Sequence, residues 1–174
     1  NSNIYFLLFK HISSSMEIIN VMPNENVLTI EITSIFSLAR DTLKFMFASR
    51  KKNIDTVINL EMFARYSTIL SYLSGAKKRV GFYRYSQEGL YIGNFLTHKV
   101  IYNPHIHTAY SFIALVNALN SPLNEMPLAK FPIEKESLEI PKIGLDKKSR
   151  EKIWKILKDA NPDINESKRL VLVN

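Results

Sequence analysis

Residues 55–82 read DTVINLEMFARYSTILSYLSGAKKRVGF, and the fold turns on how they are parsed. Thr56-Val57-Ile58-Asn59-Leu60 is short, apolar and rich in β-branched residues, as strands are. A helix from about Phe63 to Leu73 follows. Gly75 is placed to end it, because glycine tolerates the left-handed conformation found just past helix C-termini. Arg79-Val80-Gly81-Phe82 then reads as another short strand. Strand, helix, strand in that order is the unit of a parallel sheet with right-handed crossovers.

The same rhythm extends in both directions. Upstream, Ile4 to Phe9 is a continuous apolar run, expected to be a strand buried on both faces. Ser13-Ser14-Ser15 suits the cap of a short helix over Met16 to Met22, which Pro23 would stop. Val27-Leu28-Thr29-Ile30 reads as a strand. Thr33 or Ser34 caps a helix to about Ser49, with Ile35, Leu38, Ala39, Thr42, Leu43, Met46 and Phe47 expected on one buried face. Arg50-Lys51-Lys52 in its last turn suits the helix dipole. The aromatics Phe36, Phe45 and Phe112 are expected in the core. Downstream, Lys99 to Tyr102 reads as a strand and His107 or Thr108 opens a helix to about Leu119. Residues 120–146 carry four of the seven prolines and read as a connection, with a strand near Ala129 to Ile133. Lys147 to Ala160 is an amphipathic helix whose buried side would be Ile153, Trp154 and Leu157. Leu170-Val171-Leu172-Val173 is read as a last strand. The chain thus opens just before one strand and closes on another, and it is expected to be a piece of a longer protein. The fold class is α/β, a Rossmann-like parallel sheet with flanking helices.

Composition narrows the chemistry. The 174 residues can bury a core of ordinary size, and 46% hydrophobic with 22% charged residues is normal for a globular chain. There is no cysteine, which excludes disulfide scaffolds, thiol nucleophiles and cysteine–zinc sites. The formal net charge of +7 favours anionic partners. The longest apolar run is far short of the roughly 20 residues of a membrane-spanning helix. The chain has no phosphate-loop, dinucleotide, nucleophile-elbow or HExxH motif. His98, His105 and His107 share no helical spacing with acids, so no metal site is expected. No basic helix or recognisable module supports nucleic-acid binding, and no cofactor is implied.

Open parallel sheets bind ligands beyond the carboxyl ends of their strands. The residues just past each strand are therefore the candidates: Lys10 and His11, Glu31 and Ser34, Glu61 and Arg65, Tyr83 and Arg84. Each also has a plain structural reading. Glu61 would serve as a first-turn acid of the following helix, and Arg65 as a solvated helix residue. Lys77-Lys78-Arg79 is read as a solvated turn. Three of the five glycines fall in residues 79–98. Gly81 lies inside a strand, where another backbone or a ligand comes close. Gly89 and Gly93 would turn a loop from Tyr83 to His98 that is expected to cover the pocket.

Asp55-Thr56-Val57-Ile58-Asn59-Leu60-Glu61, Arg65-Tyr66-Ser67 and Leu73-Ser74-Gly75-Ala76-Lys77-Lys78-Arg79-Val80-Gly81-Phe82 together resemble the amino-terminal domain of glycosyltransferase family 9. These are the bacterial lipopolysaccharide heptosyltransferases and their relatives. The resemblance is good over about residues 54–83 and looser elsewhere. It implies one half of a two-domain GT-B architecture, with residues 1–140 as the acceptor-side domain. Residues 141–174 would be a connecting helix and the first strand of a second domain. It further implies inverting transfer from a nucleotide-sugar bound by that second domain to an acidic glycan or glycolipid acceptor. The expected site is cytoplasmic, peripheral on the inner membrane. The carboxylate base would lie in a Gly-Asp motif after a first strand upstream of residue 1, leaving no catalytic residue here and an inactive fragment. Glu61, Arg65, Tyr83, Arg84, Lys10 and His11 would face the acceptor. The segment from Tyr83 to His105 is longer and more aromatic than the family pattern. The alternative is a non-catalytic Rossmann-like module binding an acidic or phosphorylated ligand.

Overall fold

The computed structural model describes residues 3–13, 22–62, 64–84, 93–123 and 146–165. The expected helix over Met16 to Met22 falls almost wholly outside them, as do the expected strands near Ala129 to Ile133 and Leu170 to Val173. The chain divides into two compact units, Asn1–Leu138 and Glu139–Asn174.

The first unit is mixed α/β, with parallel strands in two open sheets and flanking helices. Strand β1 (Phe6–Phe9) pairs in parallel with β2 (Val27–Ile30), Phe6 opposite Val27 and Phe9 opposite Ile30. Helix α1 (Ile35–Lys51) follows. Ser34 caps it by accepting the Ser37 amide, while the Ser37 hydroxyl accepts the Ser34 amide in return. The second sheet is β3 (Thr56–Asn59), β4 (Lys78–Arg84) and β5 (His98–Ile101), in that order and all parallel. Helix α2 (Arg65–Leu73) connects β3 to β4, and α3 (Thr108–Ala118) follows β5. Gly75, at φ +80°, carries the chain out of α2.

Two cores hold these layers. On one side of the second sheet Val80, Phe82 and Val100 meet Ala114, Leu115 and Ala118 of α3. The other core joins Ile30, Phe45 and Leu70, with Leu7, Phe9, Leu28, Leu38 and Tyr66 packed against them. It takes residues from β1, β2, α1 and α2, so both helices pack on the first sheet. Ser49 of α1, fully buried, donates to the Ser74 carbonyl just past α2 at 3.0 Å. Thr42 Oγ1 and the Tyr66 hydroxyl lie 2.8 Å apart. Phe9 stacks on Tyr66 at 6.3 Å, tying the end of β1 to the first turn of α2. Among the described residues β1 pairs only with β2 and β3 only with β4, so each has one unpaired edge.

Several expectations need correction. The run from Ile4 to Phe9 is not buried on both faces. Every residue of β1 is only half-buried, and among the described residues the strand has a paired neighbour on one edge alone. The apolar residues of α1 do not form a single inward face. Phe45 and Ser49 are buried and Leu38, Thr42 and Met46 half-buried, whereas Phe36, Leu43 and Phe47 are exposed. The helix carries two apolar stripes, and periodicity by itself does not say which one meets the sheet. Phe112 packs half-buried against the α3 core as expected. Strand β4 runs on to Arg84, so Tyr83 and Arg84 lie within the strand rather than beyond it. Helix α2 begins at Arg65 instead of Phe63.

The stretch expected to cover a pocket returns, over residues 93–97, to the flank of its own domain. Gly93 turns at φ +88°. The Phe95 ring packs on Tyr72 at 5.2 Å and its carbonyl accepts from Arg79 Nε at 2.6 Å. Buried Leu96 sits on Gly81. The close approach expected at Gly81 is therefore made by the protein itself. A Cβ there would stand 3.2 Å from both Leu96 Cδ1 and Asn59 Cβ. Residues 85–92, with Gly89, lie outside the described residues.

In the second unit α4 (Lys147–Ala160) is capped by Asp146, which accepts the Ser149 amide at 2.8 Å. Its expected inner side is not buried: Ile153 is exposed, and Trp154 and Leu157 are half-buried.

Two stability outcomes follow from this packing. Gly81→Ala must push Leu96 or Asn59 aside and should cost about 1–3 kcal/mol, as overpacking does, read from urea-denaturation midpoints. Buried His98 titrates below its ordinary range, because burial and then the Lys78 charge oppose protonation. The unfolded chain takes up this proton near pH 6.5, roughly the free histidine value, and the folded chain only lower. The contribution of neutral His98 is complete above that point and is lost as pH falls towards the folded value. Between about pH 7.5 and 5.5 the denaturation midpoint should therefore fall further for the wild type than for His98→Gln.

Candidate functional site

Local chemistry decides what stands at the carboxyl edge of each strand. After β1 the chain enters a single 3-10 turn, Lys10–Ile12. Lys10 reaches across the β1–β2 ladder to Glu31, Nζ to Oε2 3.3 Å. The His11 ring stacks on Phe9 at 6.0 Å with the planes only 10° apart. Because Phe9 also stacks on Tyr66, three rings run from the end of β1 to the first turn of α2.

After β2, the Glu31 amide donates to Asp41 Oδ2 at 3.1 Å, tying the strand end to α1. The Asp41 carboxyl is held down to about 2, first by the hydrogen bond from Arg40 and then by the Glu31 amide. It stays ionised across the physiological range, so this corner carries two acids, Glu31 and Asp41, against Lys10, Arg40 and Lys44.

After β3, Asn59 organises the turn. Its Oδ1 accepts the Glu61 amide at 3.2 Å and its Nδ2 donates to Thr68 Oγ1 at 3.3 Å. Glu61 lies exposed in the bend before α2. It is not a first-turn acid of the helix, which has none. Arg65 instead is the first residue of α2, exposed, and forms no ion pair among the described residues. Ala64, at the N-cap, supplies no side-chain acceptor. A cation beside the positive end of a helix dipole is electrostatically unfavourable. Fold stability therefore does not account for Arg65, whereas a bound anion would meet both its guanidinium fork and the free amides of the first turn.

Near the end of β4 the pairing with β5 slips by one residue: Phe82 faces Val100 and Arg84 faces Ile101. Tyr83 is the extra residue, a bulge of the kind that re-aims side chains. Its ring lies 4.5 Å from the Lys99 ammonium. Arg84 keeps its backbone place opposite Ile101, and its side chain lies outside the described residues.

The sequence reading thus placed Lys10, His11, Glu61 and Arg65 where strand ends meet the sheet edge, and contacts through Phe9, Tyr66 and Glu31 knit most of that corner together. It missed Lys99, which is almost fully buried and donates to Asn94 Oδ1 at 2.7 Å. A lysine inside His98-Lys99-Val100-Ile101 reads as the polar step of an alternating strand, so no local signal marks it. It also missed Tyr66, whose place directly after Arg65 was the available hint.

No protein family's sequence profile, no curated protein and no solved structure matches this chain. Among the described residues no helix is long and apolar enough to cross a membrane.

The position of Arg65 has a measurable consequence. Arg65→Glu should leave the fold intact and raise its stability by about 0.3–1 kcal/mol at low salt, since it reverses a charge at the helix N-terminus. Thermal denaturation checks this; a loss of several degrees would mean that Arg65 has a structural partner.

Proposed function

We propose that residues 1–140 form the acceptor-side domain of a nucleotide-sugar-dependent inverting glycosyltransferase of the family 9 type, one half of a GT-B enzyme. The observation that carries this reading is the order of strands. Within each sheet strands are added in chain order, β1 then β2 in one and β3, β4 then β5 in the other. In doubly wound folds the first strand lies between two such halves, and ligands bind beyond its carboxyl end, where the winding reverses. Among the described residues β1 and β3 each keep one unpaired edge, which supports a place for such a strand between them. The resemblance calls for an upstream strand followed by a Gly-Asp loop, and this is where its loop would emerge, between His11 and Arg65.

On this reading Arg65, Lys10, His11, Glu61, Tyr83 and Arg84 serve the acceptor, an acidic glycan or glycolipid. Arg65 meets its negative group, and the stacked surface of His11, Phe9 and Tyr66 offers flat faces beside it. The acceptor hydroxyl attacks the anomeric carbon of the donor sugar. Its proton passes to the carboxylate base, and the bond from the anomeric carbon to the nucleoside diphosphate breaks. The donor is held by the second domain. The reaction belongs to lipopolysaccharide or related cell-surface glycan synthesis on the cytoplasmic face of the inner membrane.

The test compares the 174-residue chain with the full-length parent. The parent should transfer sugar from a nucleotide-sugar to a lipopolysaccharide-core acceptor, and the 174-residue chain should bind that acceptor without turnover. Arg65→Ala in the parent should raise KM for the acceptor about tenfold or more, the effect of losing one charge-assisted contact, with a smaller change in kcat. Acceptor binding by a parent that turns over no nucleotide-sugar would favour a non-catalytic module.

A further inference from the structure

Helix α1 carries a second apolar stripe that its own domain does not use. Phe36, Leu43 and Phe47 are spaced seven and four residues apart, so they line one side of the helix. They are 80%, 52% and 66% exposed. The opposite side, Leu38, Thr42, Phe45 and Ser49, is what seats the helix on β2 and α2. Among the described residues nothing packed against α1 requires large apolar groups on the outward side.

Charge distinguishes this stripe from a piece of misplaced core. Arg40, Lys44 and Lys51 follow Phe36, Leu43 and Phe47 by four, one and four residues, along one margin of the stripe, and all three are exposed. Arg50 lies on the other margin, also exposed. The single acid of the helix, Asp41, is mostly buried, accepts the Glu31 amide and pairs with Arg40 and Lys44, so one acid stands against the four cations Arg40, Lys44, Arg50 and Lys51. An apolar stripe rimmed by cations in excess over acids is the pattern of a surface lying on an anionic bilayer. There the rings enter the acyl boundary and the long basic side chains reach the headgroups. A second copy fits poorly, since pairing the same face would oppose cation to cation.

We propose that the outward face of α1 docks the protein onto a membrane surface rich in anionic lipid, through Phe36, Leu43 and Phe47 and their basic rim. The inference stands on the exposure and charge of one helix and does not depend on the transferase reading.

Cosedimentation of the 174-residue chain with vesicles tests it. The protein should pellet with phosphatidylcholine vesicles containing about a third phosphatidylglycerol. It should bind pure phosphatidylcholine far more weakly and be released by roughly 0.5 M salt, which cuts the screening length to about half its 0.1 M value. The double variant Phe36→Ser with Phe47→Ser alters only exposed side chains and should melt like the wild type while losing binding about tenfold or more. Lys44→Glu with Lys51→Glu should lose binding to anionic vesicles alone. Equal binding by the wild type and the Phe36/Phe47 variant, or no binding by the wild type, would overturn the proposal. So would sedimentation as a dimer that the Phe36/Phe47 variant dissociates, since a second copy would then be what covers the stripe.

Discussion

The contact between α1 and α2 holds the first unit together. Its two sheets share no ladder, so no strand-to-strand hydrogen bond fixes one against the other. What spans them is the layer of Phe45, Leu70 and Tyr66, with Ser49 donating to the Ser74 carbonyl from a fully buried position. A buried hydroxyl without a partner costs more than a typical hydrogen bond contributes. The Met46 carbonyl, in Ser49's own helix, lies equally close at 3.0 Å, so the one hydroxyl proton is shared between a carbonyl on each side of the joint. Apolar packing supplies most of the attraction here, and these polar contacts fix the register.

That joint also builds the candidate site. Tyr66 belongs at once to the core and to the ring stack with Phe9 and His11. Arg65, its chain neighbour, is the exposed first residue of α2. Asn59 fixes the other end of this corner, since one side chain holds both the Glu61 turn and Thr68 of α2. The site corner is thus stiffened by groups that are themselves part of the packing. Arg65 is the exception, set against a helix dipole with no ion-pair partner among the described residues.

Much of this was legible from local chemistry. Strand β2 runs over the four residues read from composition, and α3 and α4 begin where their capping residues stand. The left-handed turns at Gly75 and Gly93 follow from glycine's freedom at positive φ. The errors have one physical origin. Whether Phe36 or Phe45 faces inward, whether β1 is buried on both sides, and what crowds Gly81 all depend on which other element arrives. Periodicity ranks faces by polarity and does not identify their neighbours.

By itself, then, the sequence determined an α/β chain with parallel strands and the Ser34 cap of α1. Those features depend on spacing, β-branching and capping groups within a few residues of one another. Only the tertiary structure decided that the described strands form two separate sheets. It alone turned Phe36 and Phe47 outward, carried β4 through a bulge at Tyr83, and laid Leu96 on Gly81. Each of those outcomes is settled by contacts between groups far apart in the chain, whose energies no local pattern encodes.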